Sequence, residues 1–173
     1  MSERRLPATH KPLYSAEQRR RRDQSGWTLV QGVLAPVQFA IFLVSLALVV
    51  RFLLTGGGET AATVSVVVKT LALYTIMITG SIWEKAVFGK YLFAEAFFWE
   101  DVLSMLVLAL HTAYLAALYF GLFDPHNLMA LVLGAYAAYV ANASQFLLKL
   151  RAARLDAGLE RRFGLDAEPG LAP

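Results

Sequence analysis

Cysteine is absent from the 173 residues, and histidine occurs three times, as His10, His111 and His126. Without a thiol there is no disulfide, no thiolate metal site and no cysteine nucleophile. Three scattered histidines make neither a zinc cluster nor a bis-histidine haem pair within an apolar segment. Also missing are a Gly-rich nucleotide loop, a His-Glu-x-x-His string and a serine nucleophile elbow. Charge is scarce too, at 17% of residues against 57% hydrophobic, with a mean hydropathy of +0.51. A soluble domain of this length needs only about 45–50% apolar residues. The N-terminal tail is too long and polar before its first apolar run to be a cleaved signal peptide.

What is present is distributed unevenly. A polar stretch over 1–26 holds Pro7, Pro12 and the run Arg19-Arg20-Arg21-Arg22. Four apolar segments follow, over about 27–54, 61–83, 97–122 and 128–148, and then a polar tail over 149–173. Each segment has roughly the 20 residues needed to cross about 30 Å of hydrocarbon. Strands of a membrane barrel would be half as long and would alternate, so the expected fold is an all-α bundle of four transmembrane helices. Lys and Arg number seven before the first segment, two in the 84–95 loop and five after Leu148, and the other two loops hold none. The positive-inside rule therefore puts both termini and the 84–95 loop in the cytoplasm, with the chain in an inner membrane. The net charge of +3 comes with no nucleic-acid motif, so nucleic acid is not an expected partner. The four-arginine run is read as a topology signal that also touches anionic lipid.

Several polar residues fall inside the spans. Lys69 and His111 lie at similar depth, where an ionisable group costs at least a few kcal/mol. Each has a plain alternative: Lys69 can snorkel outward past Ser65, and a neutral His111 can bond a neighbouring helix. Glu100, Ser104 and His111 share one face of the third helix, while Asp101 points about 100° away. Acids at a helix N-terminus are also favoured by the macrodipole alone. The strings Ile82-Trp83-Glu84-Lys85 and Phe98-Trp99-Glu100-Asp101 echo one another and meet at the same interface. Their tryptophans suit an aromatic belt, or the mouth of a pocket that takes a flat aromatic ligand edge-on. Gln31, Gln38, Asn142 and Gln145 either tie helix to helix or face a shared cavity.

Three longer strings carry a family resemblance. They are Trp27-Thr28-Leu29-Val30-Gln31-Gly32-Val33-Leu34-Ala35-Pro36, then Gly80-Ser81-Ile82-Trp83-Glu84-Lys85 with Phe88-Gly89 and Tyr91-Leu92-Phe93, and then Phe97-Phe98-Trp99-Glu100-Asp101 leading to Leu110-His111-Thr112-Ala113-Tyr114-Leu115. With them the chain resembles the 3-vinyl (older name 2-vinyl) bacteriochlorophyllide hydratase family from about residue 11 to 155. The resemblance implies an enzyme of bacteriochlorophyll synthesis. It would add water across the C3 vinyl group of chlorophyllide a or a bacteriochlorophyllide, giving a 1-hydroxyethyl group that a later dehydrogenase oxidises. No cofactor is implied, because the magnesium belongs to the substrate. Neighbouring enzymes of the same synthesis are expected partners, since a greasy intermediate is best handed on within a complex.

The family supplies no catalytic residues, so roles follow from chemistry. Hydration begins with protonation of the terminal vinyl carbon, which leaves a cation conjugated with the macrocycle. A desolvated carboxylic acid can hold the needed proton near neutral pH. Glu100 is the expected acid, with Glu84 or Asp101 stabilising the cation or orienting water. His111 is expected axial to the substrate magnesium, and Lys85 or Lys90 on the free propionate. Trp83, Trp99 and Gln31 complete the expected substrate contacts. A non-catalytic pigment-binding or assembly protein would use the same His111 but would not need several carboxylates at one interface. A transporter is less favoured, since no inverted repeat is visible.

Overall fold

The computed structural model describes residues 13–163, and the parts of both tails outside that range, Pro7 and Pro12 included, are not described. The described chain is five helices: α1 (Ala16–Gln24), α2 (Gly26–Thr55), α3 (Glu59–Phe88), α4 (Phe98–Phe120) and α5 (Pro125–Phe163). Four are long and apolar enough to cross a membrane, α5 through its portion Pro125–Ala152. They run antiparallel in sequence. The closest packing lies within the hairpins α2/α3 and α4/α5, and sparser seams between α3 and α4 and between α2 and α5 close the bundle.

Local chemistry sets the boundaries. Gly56 ends α2 in the left-handed region (φ 70°), and Gly89 ends α3 there (φ 81°), where a Cβ would be strained. Asp124 Oδ1 accepts from the N–H groups of His126 (3.0 Å) and Asn127 (3.1 Å), and Pro125 follows as the first helical residue. The helices overrun the apolar segments. α3 continues to Phe88, so Glu84 and Lys85 stand on a helix rather than in a loop. α5 continues beyond the last apolar turn to Phe163. Within the polar N-terminal stretch, Ser15 and Gln18 form a reciprocal capping box that starts α1.

The polarity of the bundle is inside out. Leu29, Val44, Leu54, Val64, Leu106 and Leu147 are exposed, whereas Ser45, Lys69, Glu84, Asp101, Ser104 and His111 are buried. In water that arrangement would be doubly costly; in hydrocarbon it is the stable one. Phe42, Val49, Phe52, Val66, Val107 and Met129 fill the apolar part of the core. Two contacts set the register between the hairpins: Ser45 Oγ lies 2.6 Å from the Tyr136 hydroxyl, and the Tyr74 hydroxyl lies 2.8 Å from Thr112 Oγ1.

Candidate active site

Three acids gather where α2 begins and α5 leaves the bundle. Glu84 on α3 and Asp101 on α4 are buried together, their oxygens taking the N–H groups of two consecutive loop residues. Two carboxyl groups buried this close together favour sharing one proton, which leaves the pair a single negative charge. Both also hold the connecting loop. The Phe93 N–H donates to Asp101 Oδ2 (2.7 Å), and the Ala94 N–H donates to Glu84 Oε2 (3.4 Å). Phe93 sits at φ 59°, the one non-glycine residue with positive φ among those described. Such a conformation costs about 1–3 kcal/mol and persists because both acids grip the loop.

Glu100 has a different partner. Lys149 on α5 donates to its Oε2 at 2.7 Å, and Glu100 is 7% exposed. Lys149 also lies 4.9 Å from the centre of the Phe97 ring. The sequence counted Lys149 only among the tail charges; its place one turn beyond the last apolar residues was the available signal.

Aromatic rings wall the acids. Phe97 packs edge-on against Trp83 (5.7 Å) and stacks with Phe146 (5.9 Å), and the Trp83 Nε1–H donates to Thr28 Oγ1 (3.0 Å). Tyr14, from the segment before α1, is buried against Phe88 (5.8 Å) and Phe97 (6.3 Å). Burial pushes its hydroxyl above the ordinary range, while the charge of Arg22 pulls the other way. A segment read from sequence as tail therefore packs onto the aromatic rings at the acid-bearing end.

The remaining expected contacts divide by height. Trp99 is 70% exposed and faces outward, as an aromatic belt would. Lys85 Nζ donates to the Gly89 carbonyl (2.9 Å) and flanks the Tyr91 ring, and Lys90 is exposed beside it. The Gln31 side chain donates to Thr79 Oγ1 (2.8 Å), which ties α2 to α3. His111 lies about 15 Å along α4 from Asp101. Lys85 stands about 24 Å along α3 from Lys69, the residue at the height of His111. Lys85 and Lys90 are thus not brought to His111.

Between the acids and His111 lies an amide layer. Asn142 Nδ2 donates to Ser104 Oγ (2.8 Å), and the register set by Ser45 and Tyr136 puts Gln38 at the same height. Asn142 Oδ1 and Gln38 Nε2 are both buried with no hydrogen-bond partner. A donor and an acceptor left open at one level suit an internal water. At His111, Nδ1 lies 2.8 Å from the Val107 carbonyl. A carbonyl only accepts, so Nδ1 carries the proton and Nε2 keeps a bare lone pair. That Nε2 is buried and without a partner, and the ring lies 5.8 Å from Tyr136. Together these groups form a polar column through an apolar bundle: carboxyl pair, amide layer, then imidazole.

Comparison with known proteins agrees with the family expectation. The model of the family described as 2-vinyl bacteriochlorophyllide hydratase matches residues 14–152. A 2-vinyl bacteriochlorophyllide hydratase of Cereibacter sphaeroides is 63% identical over 150 residues, covering 86% of this chain and 92% of that one. One of Rhodobacter capsulatus is 61% identical over 163 residues, 94% of each chain. No solved structure matches the chain. With the match running from Tyr14 through the acids and His111 to the end of the last apolar span, the chain belongs to the 2-vinyl bacteriochlorophyllide hydratase family.

Proposed function

We propose that this protein hydrates the C3 vinyl group of chlorophyllide a or a 3-vinyl bacteriochlorophyllide within the bacterial inner membrane, with the acid-bearing end facing the cytoplasm. The observation that carries the mechanism is the buried Glu84/Asp101 pair, held over consecutive loop N–H groups at the head of the polar column. The proton of the pair goes to the terminal vinyl carbon, leaving a cation at the inner carbon that the macrocycle delocalises. The pair is then doubly negative and faces that cation, which favours the transition state. Water held between Asn142 Oδ1 and Gln38 Nε2 adds to the inner carbon and returns its proton to the pair. One C–H, one C–O bond and no net charge result, and the acid is restored.

The Nε2 lone pair of His111 fits the axial position of the substrate magnesium. The imidazole leans toward the acids, since its Nδ1 bonds one turn back along α4, so the ring it holds extends toward them. Glu100 gives an oxygen to Lys149, which leaves it as a charge that steadies the cation rather than as the acid. Lys85 and Lys90, at the mouth, meet the propionate as the pigment comes in. Trp83 and the outward Trp99 flank that path.

The test uses membranes containing the protein, chlorophyllide a and ¹⁸O-labelled water, followed by absorption and mass spectra. A blue-shifted product heavier by one labelled water is the expected result. Pigment that binds and stays unchanged, with a related vinyl substrate equally inert, would instead make the chain a pigment-binding protein.

A further inference from the structure

Lys69 is the one fully buried cation among the described residues whose charge has no use in this scheme. Its relative exposure is 0%, so it does not snorkel past Ser65. Its Nζ has no hydrogen-bond partner, and the contact it does have is with the face of the Tyr139 ring, 3.8 Å away. A ring face attracts an ammonium, but by less than the cost of burying one. The N–H donors of Lys69 therefore stand open in the core, at the height of an imidazole lone pair that is open as well.

The two groups lean opposite ways. Helical side chains point back toward the N-terminus of their helix, and α3 and α4 are antiparallel. Lys69 thus reaches away from the carboxyl pair, while the His111 ring is bonded one turn toward it. A ligand that satisfies both has a Lewis-acidic centre for the imidazole and an oxygen acceptor at its far edge for the ammonium. A magnesium chlorin has that form. Its ring-fused ketone lies across the macrocycle from the C3 vinyl group, and its propionate is on a pyrrole adjacent to both.

We infer that Lys69 is a substrate-positioning residue that receives an oxygen of the macrocycle periphery, ketone or propionate, and so sets the ring with its vinyl edge toward the carboxyl pair. The inference rests on the proposed placement of the magnesium at His111. Without Lys69 the ring can turn about the His111–metal axis, and the vinyl group is presented to the acids only part of the time.

The experiment is a binding titration of the full chain in lipid nanodiscs, followed by quenching of pigment fluorescence. Wild type and Lys69→Met are compared with three probes: chlorophyllide a, the analogue with methylene in place of the ring ketone, and the propionate methyl ester. Methionine keeps most of the length of the side chain and removes the amine, and a melting curve checks that the variant folds. A charged hydrogen bond lost in the core is expected to weaken chlorophyllide binding about tenfold to hundredfold. The difference between the two proteins disappears with the methylene analogue if Lys69 contacts the ketone, and shrinks with the methyl ester, which has lost the carboxylate charge, if Lys69 contacts the propionate. If Lys69→Met weakens all three probes equally, or none, the inference is wrong. His111→Ala, titrated with chlorophyllide and with its metal-free form, separates the two ideas. A metal-dependent loss there beside an inert Lys69→Met overturns only the role of Lys69, whereas no metal dependence overturns the placement of the ring itself.

Discussion

Replacing Glu84 with glutamine removes one proton and little else. The pair holds one proton and one negative charge, and after Glu84→Gln the Asp101 carboxylate still carries a single negative charge. The new amide can donate to Asp101, and its oxygen can still accept from the Ala94 N–H, so the loop keeps its anchors. Exchanging one such hydrogen bond for another should cost at most about 1 kcal/mol of stability. The transferable proton is gone, however, and loss of general acid catalysis slows a reaction about 10²–10⁴-fold. The expected outcome is a fall of that size in kcat with pigment affinity unchanged, read from product formation by chromatography and from fluorescence titration. Glu100→Gln is the control. It breaks an ion pair whose carboxylate is buried, so it should cost about 1–3 kcal/mol of stability, but it removes no shared proton and should slow turnover less than about tenfold. An active Glu84→Gln beside a dead Glu100→Gln would refute the pair as the acid and give that role to Glu100.

Three further outcomes are expected. His111→Ala should release copurified pigment while leaving the melting temperature close to wild type, because Nε2 has no partner in the protein to lose; undiminished pigment counts against a ligand role. The absence of cysteine makes topology testable on a clean background: a membrane-impermeant maleimide added to intact cells should label Gly57→Cys and spare Lys90→Cys, and the reverse pattern inverts the chain. Gly89→Ala forces a Cβ into φ 81° at the end of α3 and should cost about 1–2 kcal/mol, seen as a lower melting temperature; an unchanged value would mean that α3 can end another way.

Much of this architecture was legible because the membrane imposes so simple a rule. Four apolar runs of the right length in lipid leave helices as the only economical answer, and Gly56, Gly89, Gly121 and Asp124 mark where they turn. The echo of Trp83-Glu84 with Trp99-Glu100 also pointed to the end of the bundle where the acids gather. What sequence patterning missed depends on contacts between segments. Asp101, angled away from the Glu100 face, meets Glu84 from another helix; Glu100 is answered by a lysine 49 residues later. Tyr14 reads as part of a polar tail until Phe88 and Phe97 give it a place to be buried. The helical continuations into polar sequence, α1 and the end of α5, escape a hydropathy argument because charge there signals only the edge of the lipid.

The position of the acids has a chemical reason on the proposed mechanism. A pigment held in the bilayer is reached easily by other apolar molecules, but protons and water must come from outside. An acid at the depth of His111, about 15 Å along α4 from Asp101, would stand farther from bulk water and be renewed more slowly. Glu84 and Asp101, 6% and 4% exposed under a loop they hold themselves, stand close enough to the aqueous edge to exchange a proton and remain shielded enough to keep one. The macrocycle bridges the two requirements. Its metal can sit deep, where neutral imidazole costs little, while its vinyl edge reaches back toward the acids. If that division holds, moving the acid should be more harmful than moving the ligand. Restoring a carboxyl group one turn deeper, as Ser104→Asp in the Glu84→Gln background, should not rescue turnover, and rescue would show that proximity alone, rather than access to water, sets the place of the acid.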